Sequence, residues 1–300
     1  MREIRLFLVI FAFVALSFGL WKEPSFAQAV ECKKDLFMGA VVANVNGGAV
    51  SLSQNGITMG ETGETIETSG IAGIVSILSP ETEKVNVELT ATYLYGDGKD
   101  VKVRNVTYGG VSSFETNVDA GVEKFINVGA SVEYSPAQKI GNYNGVWTVS
   151  ADFDKSKIHV SEVCPMSINF NARDILLSEV KPLNFGTVSK QANGGGIIRV
   201  GFDGSRTVVS GNMQFLSSVS NAEFEVEASP ETTVYVSFEK GFLYGEKGSV
   251  RVENFTSSKG NSFNIPATGK TSVKVGADLV IDSNQPEGNY SGTYDIIVNY

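Results

Sequence analysis

Apolar residues recur at every second position through much of the chain. In "KVNVELTATY" Val85, Val87, Leu89, Ala91 and Tyr93 fall on one side and mostly polar residues on the other. "TTVYVSF" does the same with Val234, Val236 and Phe238, and "AEFEVEA" alternates Ala222, Phe224, Val226 and Ala228 with Glu223, Glu225 and Glu227. A period of two marks a strand with one buried face. Between such runs stand residues that supply the positive φ of tight hairpins: Asn46-Gly47-Gly48, Asn55-Gly56, Gly96-Asp97-Gly98 and Asp203-Gly204. The nearest approach to a helical period, "ARDILLSEV" at 172–180, is short. The pattern predicts an all-β chain of many short strands.

The pattern is also written twice. With a shift of 147, Gly39 falls on Gly186, "NGG" at 46–48 on "NGG" at 193–195, "VGA" at 128–130 on "VGA" at 275–277, and "GNYNG" at 141–145 on "GNYSG" at 288–292. Ser-Pro-Glu-Thr at 79–82 recurs at 229–232, and "VKVRNVT" at 101–107 meets "VRVENFT" at 250–256. The shift drifts by a few residues while the order holds, as insertions in surface loops produce. Repeat 1 therefore spans 39–153 and repeat 2 spans 184–300, each of a size for one antiparallel β-sandwich. An immunoglobulin-like Greek key is the expected topology and a jelly roll the alternative. Residues 30–38 form an N-terminal segment, and 154–183 match little of the repeat and serve as a linker or an added strand. In the second role "KIHVSEV", with Ile158 and Val160 alternating, completes domain 1.

The two "GNYxG" turns open a closing strand in each copy. Trp147, Val149, Ala151 and Phe153 superpose on Tyr294, Ile296, Val298 and Tyr300, giving the same apolar face in both. Copy one runs on into the linker after this strand, and copy two stops at it. A closing strand at a sheet edge needs a partner for its open side. Tyr294, Ile296, Val298 and Tyr300 are therefore the candidate assembly strand.

The start of the chain changes the picture of where this happens. Two arginines precede an uncharged run from Leu6 to Leu20, shorter than a bilayer span, and Ala27-Gln28-Ala29 offers a small-x-small cleavage site. Residues 1–29 read as a secretory signal peptide, and no later run approaches membrane length. The expected location is outside the cytoplasm: periplasm, cell surface or medium. Cleavage takes the net charge from −9 to −10. With no basic cluster, nucleic acid is not an expected partner. Both cysteines remain, Cys32 just before repeat 1 and Cys164 just after it. Domain ends often lie close together, so a Cys32–Cys164 bridge would staple the entry and exit of domain 1. Two free thiols or a bond to another chain are the rival readings.

Candidate chemistry is sparse. The single histidine, His159, sits in the unrepeated segment and reads as an ordinary linker residue. Gly194-Gly195-Gly196 is followed by "IIRV", a strand pattern, so a hairpin fits better than a phosphate cradle. Asp97 and Asp100 lack the spacing of a calcium loop, and the three glutamates of 223–227 line the outer face of one strand. Trp147 reads as core, whereas Tyr93, Tyr95 and Tyr108 are the candidates for an exposed aromatic patch. No catalytic, metal or cofactor-binding residues are expected, and the chain reads as non-enzymatic.

Copy two carries "LNFGTV" (183–188), "GGGIIRV", "AEFEVEASPETTVYV", "VENFTS" and "GADLVIDSNQPEGNYSGTYDIIVNY". Over 183–300 these resemble the bacterial secreted family known as domain of unknown function 4402, with copy one a divergent member carrying "LFMGAV" at 36–41. The resemblance implies a β-rich exported protein of Gram-negative bacteria without an assigned activity. A weaker resemblance links the terminal strand to subunits of chaperone–usher pili, whose chains end in alternating apolar residues with a glycine upstream. Here the tyrosine is the last residue instead of the penultimate one, and the cysteines do not pair within one repeat unit. These resemblances imply a fimbria-like structural subunit, assembling by strand addition with like subunits or a periplasmic chaperone as partners. The alternative is a monomeric surface or periplasmic module that binds carbohydrate or another ligand.

Overall fold

The computed structural model describes residues 27–191 and 194–300; residues 1–26, most of the expected signal peptide, lie outside them. In the first half the chain forms β1 (Ala29–Lys34), β2 (Leu36–Val42), β3 (Gly48–Leu52), β4 (Thr58–Gly60), β5 (Thr65–Thr68), β6 (Gly73–Leu78), β7 (Glu83–Tyr95), β8 (Val101–Thr107), β9 (Ser113–Val118), β10 (Lys124–Tyr134), β11 (Gly141–Phe153) and β12 (His159–Asn171). The second half forms β13 (Leu176–Lys181), β14 (Val188–Lys190), β15 (Gly196–Val200), β16 (Arg206–Ser210), β17 (Met213–Phe215), β18 (Ala222–Glu227), β19 (Thr233–Phe238), β20 (Gly241–Gly245), β21 (Gly248–Ser257), β22 (Ser262–Asn264), β23 (Lys270–Ile281) and β24 (Ile296–Asn299). No helix occurs among the described residues, and "ARDILLSEV" runs into β13. The fold is two tandem sheet-rich, all-β domains.

The alternation seen in the sequence sets the burial. Along β7 the pattern Val85, Val87, Leu89 is buried and Lys84, Asn86, Glu88 exposed. Burying one such side chain is worth about 1.5–3 kcal/mol, so a strand with three of them is held to the core side. A long strand joins the layers in each domain. Residues 124–128 of β10 pair with β6, and residues 129–134 pair with β8 and β3. Gly129 sits at the changeover, where a Cβ would stand 2.3 Å from the Leu52 carbonyl oxygen. β23 repeats the device, pairing with β18 over 270–275 and with β15 over 277–281. A Cβ on Gly276 would stand 2.3 Å from the Val200 carbonyl oxygen. The repeated "VGA" is therefore a corner at which two backbones approach too closely for a side chain.

"GNYxG" is a second corner. Gly141 has φ 132° and Gly288 has φ 158°, backbone conformations that side-chain-bearing residues rarely adopt. Two residues on, the tyrosine turns inward and anchors the loop that precedes it. The Tyr143 hydroxyl donates to the Lys139 carbonyl at 3.2 Å, and the Tyr290 hydroxyl donates to the Pro286 carbonyl at 2.7 Å. Each bond reaches four residues back along the chain.

Strand pairing repeats between the domains with one exception. The pairs β1–β6, β6–β10, β10–β3, β3–β4, β2–β5 and β8–β10 recur as β13–β18, β18–β23, β23–β15, β15–β16, β14–β17 and β21–β23. The long β7 is divided in domain 2: β20 takes its pairing with β8's counterpart, and β19 takes those with the counterparts of β9 and β11. What does not recur among the described residues is β12. It lies antiparallel to β11 over twelve register pairs, from Gly141↔Phe170 to Asp152↔His159, and parallel to β2 from Met166↔Leu36 to Asn171↔Val42. The buried apolar residues follow the same division: one continuous cluster in domain 1, two separate clusters in domain 2.

Candidate functional site

The expected added strand is present as β12, with its buried face further along than "KIHVSEV" suggests. Ile158 stands in the turn, exposed, while Cys164, Met166, Ile168 and Phe170 are the inward side chains, all nearly or fully buried. Phe170 meets Tyr134 and Tyr143 edge-on, with ring centroids 5.1 and 5.4 Å apart. Gly141 and Gly145 lie opposite Phe170 and Met166, and a Cβ on Gly145 would stand 2.5 Å from the Tyr93 carbonyl oxygen of β7. Two sets of hydrogen bonds and a disulfide fix the strand. The Trp147 indole Nε1 donates to the Pro165 carbonyl at 3.2 Å. The Glu83 carboxylate accepts from the amides of Lys155 and Ser156 at 2.8 and 3.3 Å and so holds the turn that leads in. Burial alone would push the Glu83 pKa up, but the bonds from Ser79 and these two amides outweigh it and hold the group below the usual carboxylate value. Finally, Cys32 of β1 and Cys164 of β12 are bridged, their Cα atoms 5.7 Å apart.

In domain 2 no strand among the described residues takes the position corresponding to β12. Among the described residues β24 pairs only with β19 and forms the edge of its sheet. Between residues 183–190, which correspond to β2, and residues 285–292, which correspond to the start of β11, runs a groove of about 710 Å³. Its apolar lining includes Leu183, Phe185, Val188, Leu243, Leu279 and Tyr290. Side chains that β12 covers in domain 1 are more exposed in their domain-2 counterparts. Val30 is 5% exposed and Leu177 38%, and Phe153 is 1% exposed against 42% for Tyr300. Leu36, Val41, Tyr143 and Trp147 are fully buried, whereas Leu183, Val188, Tyr290 and Tyr294 are only partly so.

Tyr294 marks the difference most sharply. It occupies the place of Trp147 and stacks on Phe255 with centroids 4.8 Å apart. Its hydroxyl is buried and has no hydrogen-bond partner among the described residues, where the Trp147 nitrogen has the Pro165 carbonyl of β12. Burial, with the charge of Glu179 adding to it, pushes the Tyr294 pKa well above the usual tyrosine value. The rest of the expected assembly strand is in place beside it. Ile296 and Val298 pack on the second core cluster of the domain, and the Tyr300 hydroxyl donates to the Arg173 carbonyl and accepts from the Ser229 amide at 3.0 Å. Reading the terminal strand alone missed the opposite wall of the groove, 183–190. The signal for it was the one segment, 159–171, that the repeat leaves without a second copy.

The remaining candidates stay apart from this groove. His159 opens β12 and pairs with Asp152 at 2.7 Å, both exposed. Among the described residues no group of three or more His, Cys, Asp or Glu is placed to hold a metal ion. Trp147 is core. Tyr93, Tyr95 and Tyr108 are exposed, the first two with ring centroids 6.4 Å apart.

Two tandem all-β domains, one closed by an extra strand and one open at the same place, define the class. The chain belongs to the family described as domain of unknown function (DUF4402), whose model matches residues 29–153 and again 175–300. No curated protein matches the chain. Among solved structures it is similar to the CsuC–CsuE chaperone–tip adhesion subunit pre-assembly complex from archaic chaperone–usher Csu pili of Acinetobacter baumannii. There the identity is 10%, the match covers 90% of this chain and 100% of that one, and the TM-score is 0.38. A protein of unknown function from Porphyromonas gingivalis W83 matches at 7% identity over 84% of this chain and 83% of that one, TM-score 0.26. A chaperone–tip adhesin complex of CFA/I fimbriae biogenesis matches at 10% identity over 75% and 89%, TM-score 0.27.

Proposed function

We propose that the protein is an exported, non-enzymatic structural subunit of a fimbria-like surface assembly, joined to its neighbours by strand addition at domain 2. The single observation that carries this reading is the strand position filled by β12 in domain 1 and open, with an apolar floor, in domain 2. An extended segment entering such a position gains main-chain hydrogen bonds along the edge and pockets for alternate side chains. Both domains are taken as immunoglobulin-like Greek-key sandwiches. The tyrosine that bonds four residues back at the start of each closing strand, and the parallel β2–β12 pairing, support that topology. The Cys32–Cys164 bridge supports an oxidising compartment, the periplasm or beyond, with residues 1–29 as the export signal. The partners are like subunits or a periplasmic chaperone.

Surface extracts of the native cell, run unheated and heated on gels, test the assembly. Ladders of oligomers that collapse to monomer on heating are the expected result, and monomer alone in both lanes would refute it. The exposed pair Tyr93 and Tyr95 favours a second reading, a monomeric glycan-binding module. Glycan binding by a purified monomer, lost on replacing both tyrosines by alanine, would support that reading instead.

A further inference from the structure

We infer that Tyr300, just past β24, is the catch of an interdomain latch. Acting on Arg173, it holds the linker against domain 2, so that the two domains move as one body while the catch is closed and hinge when it opens.

The linker is short. Residues 172–175 alone separate Asn171, the end of β12, from Leu176, the start of β13. Ile175 packs on the second core cluster of domain 2, which leaves 172–174 to set the angle between the domains. Arg173, in the middle of these, is held by domain 2 at three points. Its amide donates to the Ser229 Oγ at 2.8 Å. Its carbonyl accepts from the Tyr300 hydroxyl at 2.5 Å, and that hydroxyl in turn accepts from the Ser229 amide at 3.0 Å. Its guanidinium Nη1 meets one oxygen of the Glu227 carboxylate at 3.0 Å, and Lys270 meets the other at 2.9 Å. A residue tied at both its N–H and its C=O cannot turn about φ and ψ without giving up a bond, and tandem domains lacking such a tie are expected to move against each other. Domain 1 rests on the same place. Val45, in the loop between β2 and β3, stands so near Gly269 that a Cβ there would lie 3.0 Å from the Val45 Cγ1, and Gly269 has φ 75°.

The two repeats set these groups apart from ordinary core packing. Tyr300, Glu227, Lys270 and Gly269 stand where repeat 1 has Phe153, Leu78, Glu123 and Val122. Phe153 is buried and fills the corresponding place without a hydroxyl. The phenol, the ion pairs and the glycine therefore belong to the copy that follows the linker. Among the described residues β24 forms the edge of its sheet. Whatever lifts the end of that strand also withdraws the Tyr300 hydroxyl and frees the linker, so the state of the edge is passed to the angle of domain 1.

The test measures the hinge directly. Thr90 and Lys247, both exposed, are replaced by cysteine in the full chain and spin-labelled, with the native bridge left oxidised. The distribution of distances between the labels is expected to be single and narrow in this parent, and at least about twofold broader once Y300F is added. Phenylalanine is the residue repeat 1 uses at that place, and circular dichroism with the domain-2 melting transition checks that the fold is kept. A broad distribution in the parent, or an unbroadened one in folded Y300F, overturns the inference. Should Y300F lose the fold, S229A decides in the same way, since it keeps Tyr300 and removes the acceptor of the Arg173 amide. Amide hydrogen exchange separates a latch from the loss of a single bond. In Y300F the Ser229 amide loses its partner outright, whereas the Arg173 amide keeps the Ser229 Oγ. The latch predicts exchange about tenfold faster at both amides, because the linker itself is loosened. Faster exchange at Ser229 alone would refute it.

Discussion

Removing the bridge between Cys32 and Cys164 should unfold domain 1 far more readily and leave domain 2 alone. The two cysteines are 132 residues apart, so the closed loop contains nearly all of domain 1. In the chain-entropy model a loop of that length restricts the unfolded state by about 5 kcal/mol, and native disulfides typically deliver about 2–5 kcal/mol when removed. Cys164 is fully buried, so alanine is the substitution of choice, since serine would add the cost of a buried hydroxyl. For C32A/C164A we expect a loss of about 3–5 kcal/mol. Domain 1, from β1 to the end of β12, has an unfolding entropy of about 0.3 kcal/mol per degree, so its transition should fall by about 10–16 °C. The assay is differential scanning calorimetry of the full chain, with one transition expected for each domain, and dithiothreitol should move the domain-1 transition in the unsubstituted protein. A fall of less than about 3 °C would refute the account of β12 as a strand stapled into domain 1, as would an equal fall in both transitions.

The other expectations concern the contrast between the domains. I168A removes a fully buried side chain from β12 and should cost about 2–4 kcal/mol in urea unfolding, whereas V298A, at the half-buried edge of domain 2, should cost about 1 kcal/mol. W147F loses the bond to the Pro165 carbonyl and should cost about 1–2 kcal/mol without changing the fold, as followed by circular dichroism. E83Q should destabilise domain 1 by about 1–3 kcal/mol at neutral pH. The Glu83 pKa is lowered on folding, so its contribution is complete above the unfolded value and disappears as pH falls through the folded one. The difference between E83Q and the unsubstituted protein should therefore vanish in acid, and a difference that persists unchanged at about pH 3 would count against this role.

Much of the architecture is legible in the residues because one face of each strand is buried and the burial repeats. "KVNVELTATY" and "AEFEVEA" become β7 and β18 with the alternation intact. The two "GNYxG" segments could be matched by spelling, but their reason lies in φ at the first glycine and in a bond from the tyrosine to the carbonyl four residues before it. The added strand was harder to place. Its buried half, "CPMSINF", contains a proline and alternates apolar residues with serine and asparagine, which reads as loop as readily as strand. The turn-proximal Ile158 and Val160 were the more conspicuous pair, yet the inward face begins at Cys164. The groove was illegible for a different reason. It is formed by two segments some hundred residues apart in sequence, and a space has no residue of its own. Only the alignment of a filled position in one repeat with an open one in the other reveals it.

The bridge has a mechanical consequence as well. β12 leads from Cys164 towards domain 2, and β1 carries Cys32 close to the start of domain 1. Tension applied between the N-terminal segment and domain 2 passes along the backbone to Cys164 and crosses there directly to Cys32. The intervening chain, a sequence separation of 132, lies off the line of force. At about 3.4 Å per extended residue, roughly 450 Å of chain is withheld from stretching. Domain 1 therefore transmits load as a short covalent tie, and the sheet that surrounds the tie need not resist the pull by its hydrogen bonds.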